Sequence, residues 1–431
     1  MKSLRLKRNA RPFSDYRKNL WVLTLEGVPA IIMLTLLGGP FLTGYLLHLG
    51  ATSQQIGLVL SMTTIVNVVQ VFVAFWMQRI TNRYWVLVTF SSIHRIGWAA
   101  TGLIPFIFPS EYWIPVFITM YTMAFLGNAI SGLVWTSLVG DMVPAGIRGR
   151  YMGIRNTMLN ALGSLVLFIG GQALDRFPGQ QGFNLLFIPI GICTVLNIIA
   201  FANYPKIPLA KSTESEFLPM LKKPFQDRAF LRAVMFISLW LFLQGIIVPL
   251  FSYVMLHILH ISYNWISIIT VIQTGFMMIS FYIWGNLNMK YSNKRLLYCT
   301  LPIIASACML WSLISVLPAV VVLIAVHALL GIGIGGFNQL SFNFIIGDTP
   351  KSERPMFIAV YSALTGFAAF LGPMLGGWLY ERLKEMPEWM QSYGLSTFVG
   401  LIMLLLGLIL GRAVLRDSHA PHPTELTREL T

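Results

Sequence analysis

Gly140-Asp141-Met142-Val143-Pro144-Ala145-Gly146-Ile147-Arg148-Gly149-Arg150-Tyr151 opens a stretch that runs to Asp175, and a second copy of it returns from Gly347 to Glu381. In the first copy Asp141 and Pro144 lead into Arg148, Arg150 and Tyr151, then an apolar run, then Gly170-Gly171 and Asp175. In the second, Asp348 and Pro350 lead into Arg354 and Phe357, then an apolar run, then Gly376-Gly377 and Glu381. At an offset of 206 residues the arginines, rings, paired glycines and closing acids fall into register, and only the spacing before the prolines differs by one. The chain therefore reads as two related halves.

Composition says what kind of halves these are. Of 431 residues, 56% are hydrophobic and 11% charged, with a mean hydropathy of +0.71, whereas a soluble domain carries about 25% charged residues. This is the composition of a membrane protein. A helix needs about 20 mostly apolar residues to cross the hydrocarbon, and lipid leaves the backbone of an open strand unsatisfied, so an all-α membrane fold is expected. The net charge of +14 does not point to a nucleic-acid partner, because the basic residues sit between apolar runs and form no aromatic-studded stripe. Cys193, Cys299 and Cys308 all lie inside apolar runs and read as small core hydrophobes. No metal-ligand spacing, nucleotide-binding loop or nucleophile elbow is present, so neither a cofactor nor an enzymatic activity is expected.

In chain order, residues 1–19 form a basic tail without the features of a signal peptide. Six apolar runs follow within residues 20–204: Leu20 to Leu47, Gln55 to Met77, Tyr84 to Phe108, Trp113 to Gly140, Tyr151 to Leu174 and Phe183 to Tyr204. The first is interrupted by Gly38, Gly39 and Pro40, which suits a helix that bends. Residues 205–230 are polar and read as a linker. Six more runs occupy residues 231–415, beginning near Ala233, Asn264, Leu296, Val320, Met356 and Leu395, and residues 416–431 form a second tail. With both termini inside, 26 of the 30 Lys and Arg residues fall on inside segments, including three after the fourth run, while outside segments hold only Arg176, Arg382 and Lys384. Lys and Arg accumulate on the cytoplasmic side, so twelve spans in the cell membrane with both ends cytoplasmic are expected.

Twelve spans in two six-helix halves, with Arg-bearing loops at matching places, resemble the major facilitator superfamily of secondary transporters. The family's best-known loop motif, between the second and third helices, is matched here by Arg79 and Arg83, and its echo by Lys290, Lys294 and Arg295. Both copies lack the motif's acid, replaced by Gln78 and Met289. The resemblance implies alternating access between the halves, with Arg79, Arg83, Asp141, Arg148, Arg150, Asp348 and Arg354 as candidates for a cytoplasmic gate, weighed against ordinary loop charges. Drug and proton antiporters of the family carry a Gly-Pro-x-x-Gly-Gly signature in the fifth helix. Here Gly372-Pro373-Met374-Leu375-Gly376-Gly377 stands in the eleventh, which lowers a multidrug-efflux reading.

The resemblance also places a solute between the halves. Candidates to contact it are Asn128 and Trp135 on the fourth helix, Asn160 on the fifth, Trp240 and Gln244 on the seventh, Gln273 on the eighth, and Asn338 and Asn343 on the tenth. Amides with nearby aromatics suit a neutral sugar-like or nucleoside-like molecule, although membrane helices also use amides to bond one another. Glu26 is the acid placed within a span, and a carboxylate there is costly unless protonated or paired. It is the candidate proton-coupling residue, with an ion pair to Arg95 as the rival reading. Arg95 itself is expected to be a structural charge held by carbonyls or by an acid on a neighbouring helix. The expected partners are thus the lipid bilayer, a small solute and protons, with the chain a monomer. A channel or scramblase is the other class to weigh, and the two-fold repeat favours alternating access.

Overall fold

The computed structural model describes residues 12–70, 72–73, 82–143, 145–206, 217–288, 290–347 and 354–415. Its main helices are α1 (Pro12–Leu36), α2 (Gly39–His48), α3 (Ser53–Ile65), α4 (Arg83–Ala99), α5 (Trp113–Met142), α6 (Ala145–Arg176) and α7 (Gln180–Ala202). A short α8 (Phe217–Gln226) lies within the polar linker, followed by α9 (Arg228–Ile247), α10 (Tyr263–Asn288), α11 (Asn293–Met309), α12 (Ala319–Gly347), α13 (Arg354–Arg382) and α14 (Leu395–Leu406). No strand occurs among the described residues. Ten stretches among them are long and apolar enough to cross a membrane. Of the twelve expected runs, the second is described only in part. The third is helical but carries Arg95, with Arg83 just before it, and neither of these two runs is among the ten.

Local chemistry sets the breaks. The expected bend in the first run falls between α1 and α2, where Gly39 takes a φ of +52° that glycine tolerates and Pro40 starts the new helix without needing its missing N–H. At the start of α3, the Thr52 hydroxyl accepts from the Gln55 amide while the Gln55 side chain accepts from Thr52 N–H, a reciprocal capping box. Asp227 ends the linker by capping α9, its carboxylate accepting from Ala229 and Phe230 N–H at 3.0 Å.

Most helix pairs form within one half of the sequence. α1 lies against α6 and α7, and α4 against α5 and α7; in the second half α10 lies on α12, α11 on α12 and α14, and α9 on α13. Among the described residues the halves meet chiefly at two crossings, α3 with α13 and α6 with α10, with α2 also lying against residues 251–253 of the second half. Small residues make the approach possible. A methyl on Gly57 would strike the Pro373 carbonyl and come within 3.0 Å of Gly377 Cα, and one on Gly171 would come within 2.9 Å of both Ser267 Cβ and the Tyr263 carbonyl.

Both crossings are tied at one face of the molecule, where α6 and α13 finish and α3 and α10 begin. The Asp175 carboxylate accepts from Tyr263 N–H at 2.9 Å and Asn264 N–H at 2.8 Å, and Gln172 donates to the Asn264 side chain at 2.8 Å. At the other crossing the Ser53 hydroxyl donates to Glu381 at 2.8 Å, and Lys384 holds the second carboxylate oxygen at 2.6 Å.

Candidate functional site

A cavity of about 350 Å³ lies within the first half, walled by α1, α4, α5, α6 and α7. Its charged groups are Glu26, Arg95 and Arg155, with His94 beside them. Ser91, Asn128 and Ser131 add neutral polar groups, and Ile31, Leu34, Phe125, Leu159 and Phe201 make the rest largely apolar.

Glu26 is 3% exposed and pairs with Arg155, 7% exposed, at 3.4 Å between Oε2 and Nη2. The expected alternative partner, Arg95, is not in salt-bridge contact with it. Room for the Arg155 guanidinium comes from Gly27, where a side chain would lie 2.6 Å from Nη2. Arg155 Nε donates to the Leu23 carbonyl at 3.1 Å, and its guanidinium stands 5.6 Å from the centre of the Trp135 ring. Removing one partner of such a buried pair costs about 3–5 kcal/mol, because the other is left charged and unpaired.

Asn197, fully buried on α7, ties the two charged regions together. Its Nδ2 donates to the Glu26 carbonyl at 2.9 Å and to Oε1 at 3.4 Å, while its Oδ1 accepts from Arg95 Nε at 2.8 Å. Tyr204 completes the set, donating to Glu26 Oε2 at 3.3 Å and accepting from Trp135 Nε1 at 3.0 Å. Arg95, expected to bond a carbonyl or an acid, is thus held by an amide and by His94, whose Nδ1 lies 3.3 Å from Nη1.

Arg155, Asn197 and Tyr204 were not among the residues singled out in the sequence. Arg155 counts there among the three basic residues after the fourth run, although it stands four positions into the run that begins at Tyr151. The structure takes it out of the loop count: it lies well inside α6, level with Glu26 on α1.

Of the solute candidates, Asn128 and Trp135 line this cavity. Asn160 lines a second space of about 190 Å³ at the α6–α10 crossing, facing Thr270 and Thr274. Trp240 is buried in the second half, donating to Gln244 at 3.2 Å and facing Phe337 at 6.5 Å, so this pair bonds within itself. Gln273 and Asn338 line neither space. The expected amide-rich wall is therefore a charged wall with Asn128 as its one amide. Of the gate candidates, Arg83 is buried at the start of α4. Arg79 and Asp348 lie outside the described residues, as do the side chains of Asp141, Arg148, Arg150, Arg354 and Asn343.

The Major Facilitator Superfamily model matches residues 241–430. No curated protein matches the sequence. Among solved structures, a bacterial homologue of the iron transporter ferroportin in an inward-facing state is similar at 14% identity and a TM-score of 0.71, over 94% of this chain and 100% of that one. The nucleoside transporter NupG is similar at 16% identity and a TM-score of 0.67, over 94% and 99%. A D-xylose-proton symporter is similar at 13% identity and a TM-score of 0.64, over 92% and 97%. The family model thus matches the second half of the chain, and the solved structures share its helical membrane fold over more than nine-tenths of its length.

Proposed function

We propose that this protein is a secondary active transporter of the cytoplasmic membrane. It moves a small organic solute by alternating access, with twelve spans in two six-helix bundles (residues 20–204 and 231–415), a cytoplasmic linker and both termini cytoplasmic. The observation that carries the reading is a polar cavity at membrane depth in a molecule whose halves are tied together at one face by Asp175 and Glu381. By the distribution of Lys and Arg that face is the outer one. Ties at one face suit halves that rock about a central site. The solutes named for the similar structures differ, an iron transporter homologue, a nucleoside transporter and a sugar symporter, so the solute of this chain has to be read from its own cavity.

The driving ion in this reading is the proton, and Glu26 carries it. It is the one acid lining the cavity, and its ion pair with Arg155 can be broken and remade as the helices move. The test is reconstitution into liposomes with an entrapped pH-sensitive dye. Transport predicts saturable, solute-evoked proton entry with counterflow of labelled solute. Non-saturating downhill flux without proton movement would instead identify a channel.

A further inference from the structure

The cavity's charges do not balance. Arg95 and Arg155 bring two positive charges and Glu26 one negative, and Glu26 is already engaged by Arg155. His94 adds no negative charge and, in this geometry, no positive one. An arginine can only donate, so the His94 Nδ1 at 3.3 Å from Arg95 Nη1 must accept, which leaves the imidazole neutral with its proton on Nε2. That Nε2 is buried and has no partner. Asn197, the other group on Arg95, is a neutral amide. Among the described residues no carboxylate reaches salt-bridge distance of Arg95. Its second terminal nitrogen, Nη2, makes no hydrogen bond there, and neither does Nη1 of Arg155.

A guanidinium at membrane depth whose neighbouring carboxylate, Glu26, is already paired with a second arginine is expensive, and such groups mark solute or ion pathways. We propose that the missing charge arrives with the solute: the cavity binds a small organic monocarboxylate, whose carboxylate engages Arg95. This deepens the transporter reading and rests on it for the claim that the bound anion is carried. One uncompensated charge calls for a monoanion. The planar guanidinium fork matches the two oxygens of a carboxylate, and the free Arg155 nitrogen and the Asn128 amide supply further donors in the same wall. The remainder of the solute meets Ile31, Leu34, Phe125 and Leu159, so its body is apolar. At about 350 Å³ the space lies near the lower end of the 300–1,000 Å³ typical of small-molecule sites, which sets the solute's size near that of a substituted benzene ring.

The test compares acids with their neutral amides on purified full-length protein in an uncharged detergent, using thermal stability and isothermal titration. The probes are benzoate, phenylacetate and hexanoate against benzamide, phenylacetamide and hexanamide. The acids are expected to stabilise the protein saturably and the amides not, with Arg95→Gln weakening acid binding at least tenfold and Arg95→Lys weakening it less. Amides as effective as acids, no response to any acid, or an undiminished response in Arg95→Gln would each overturn the proposal. If Arg95→Gln does not fold, the acid-amide comparison on the unaltered protein decides. Counterflow in proteoliposomes separates the two readings. Acids that bind without counterflow uphold the anion site and sink transport, whereas saturable counterflow of a neutral sugar or nucleoside without acid binding does the reverse.

Discussion

Asp175 and Glu381, related by the 206-residue offset of the internal repeat, each reach across to the first turn of a helix in the opposite half. Asp175 takes two backbone N–H groups of α10, whereas Glu381 takes the Ser53 side chain at the start of α3. The start of a helix carries unpaired N–H groups and a partial positive charge, so an anion there is stabilising. In an alternating-access cycle such bonds would hold this face shut.

Asp175→Ala should therefore favour opening of that face. Loss of a capping carboxylate costs about 1 kcal/mol, which is a roughly fivefold change in the ratio of closed to open states. Ser267→Cys, buried at the α6–α10 crossing, reports it in a background lacking the native cysteines. Labelling by a membrane-impermeant thiol reagent from the outer side should accelerate about fivefold when Asp175→Ala is added. Unchanged labelling would show that the cap does not hold the face shut.

Closure at the second crossing depends on bare backbone. Gly57→Ala puts a methyl against the Pro373 carbonyl and within 3.0 Å of Gly377 Cα, where backbone rather than a flexible side chain would have to move. The expected result is the same direction of shift, larger than for Asp175→Ala, with solute counterflow slowed because the closed state is harder to reach. Counterflow at the unaltered rate would mean that the crossing is not part of the cycle.

The repeat, the membrane class and the bend before Pro40 were legible in the sequence because each rests on local spacing or composition. The closing acids were visible as a repeated feature, yet their task was not, since the amides that Asp175 caps lie 88 and 89 residues away. The site was less legible for the same reason. Glu26 stood out as an acid within an apolar run, while Arg155, five residues past Arg150, was counted with the charges of the preceding loop. Only the packing of α6 on α1, with Gly27 leaving space, turns Arg155 inward. Asn197 carried no signal at all, because one amide in an apolar helix looks the same whether it bonds its own turn or bridges two charges.

Asn197 gives the next prediction. Asn197→Leu keeps the branched shape, with somewhat more bulk, but removes the donor to Glu26 and the acceptor for Arg95. Leaving buried polar groups unpaired costs about 1–3 kcal/mol each, so the protein should melt several degrees lower and bind solute more weakly, since Arg95 loses its anchor. Asn197→Gln should recover part of the stability but not the affinity, because the longer side chain moves the amide. Full affinity in Asn197→Leu would show that Arg95 needs no positioning.

Glu26→Gln separates coupling from binding. Glutamine keeps an oxygen for Arg155 and Tyr204 to bond but cannot carry a proton, and it removes the one negative charge of the cavity wall. If Glu26 is the proton carrier, accumulation driven by a pH gradient disappears in liposomes while solute-for-solute exchange survives. If the cavity holds a carboxylate as well, the change from one net positive charge to two tightens its binding, severalfold at low ionic strength and less at high salt. The two outcomes are independent. Accumulation at the unaltered rate would remove Glu26 as the carrier, and weakened acid binding would show that Glu26 serves the solute as an acceptor rather than as a competing anion.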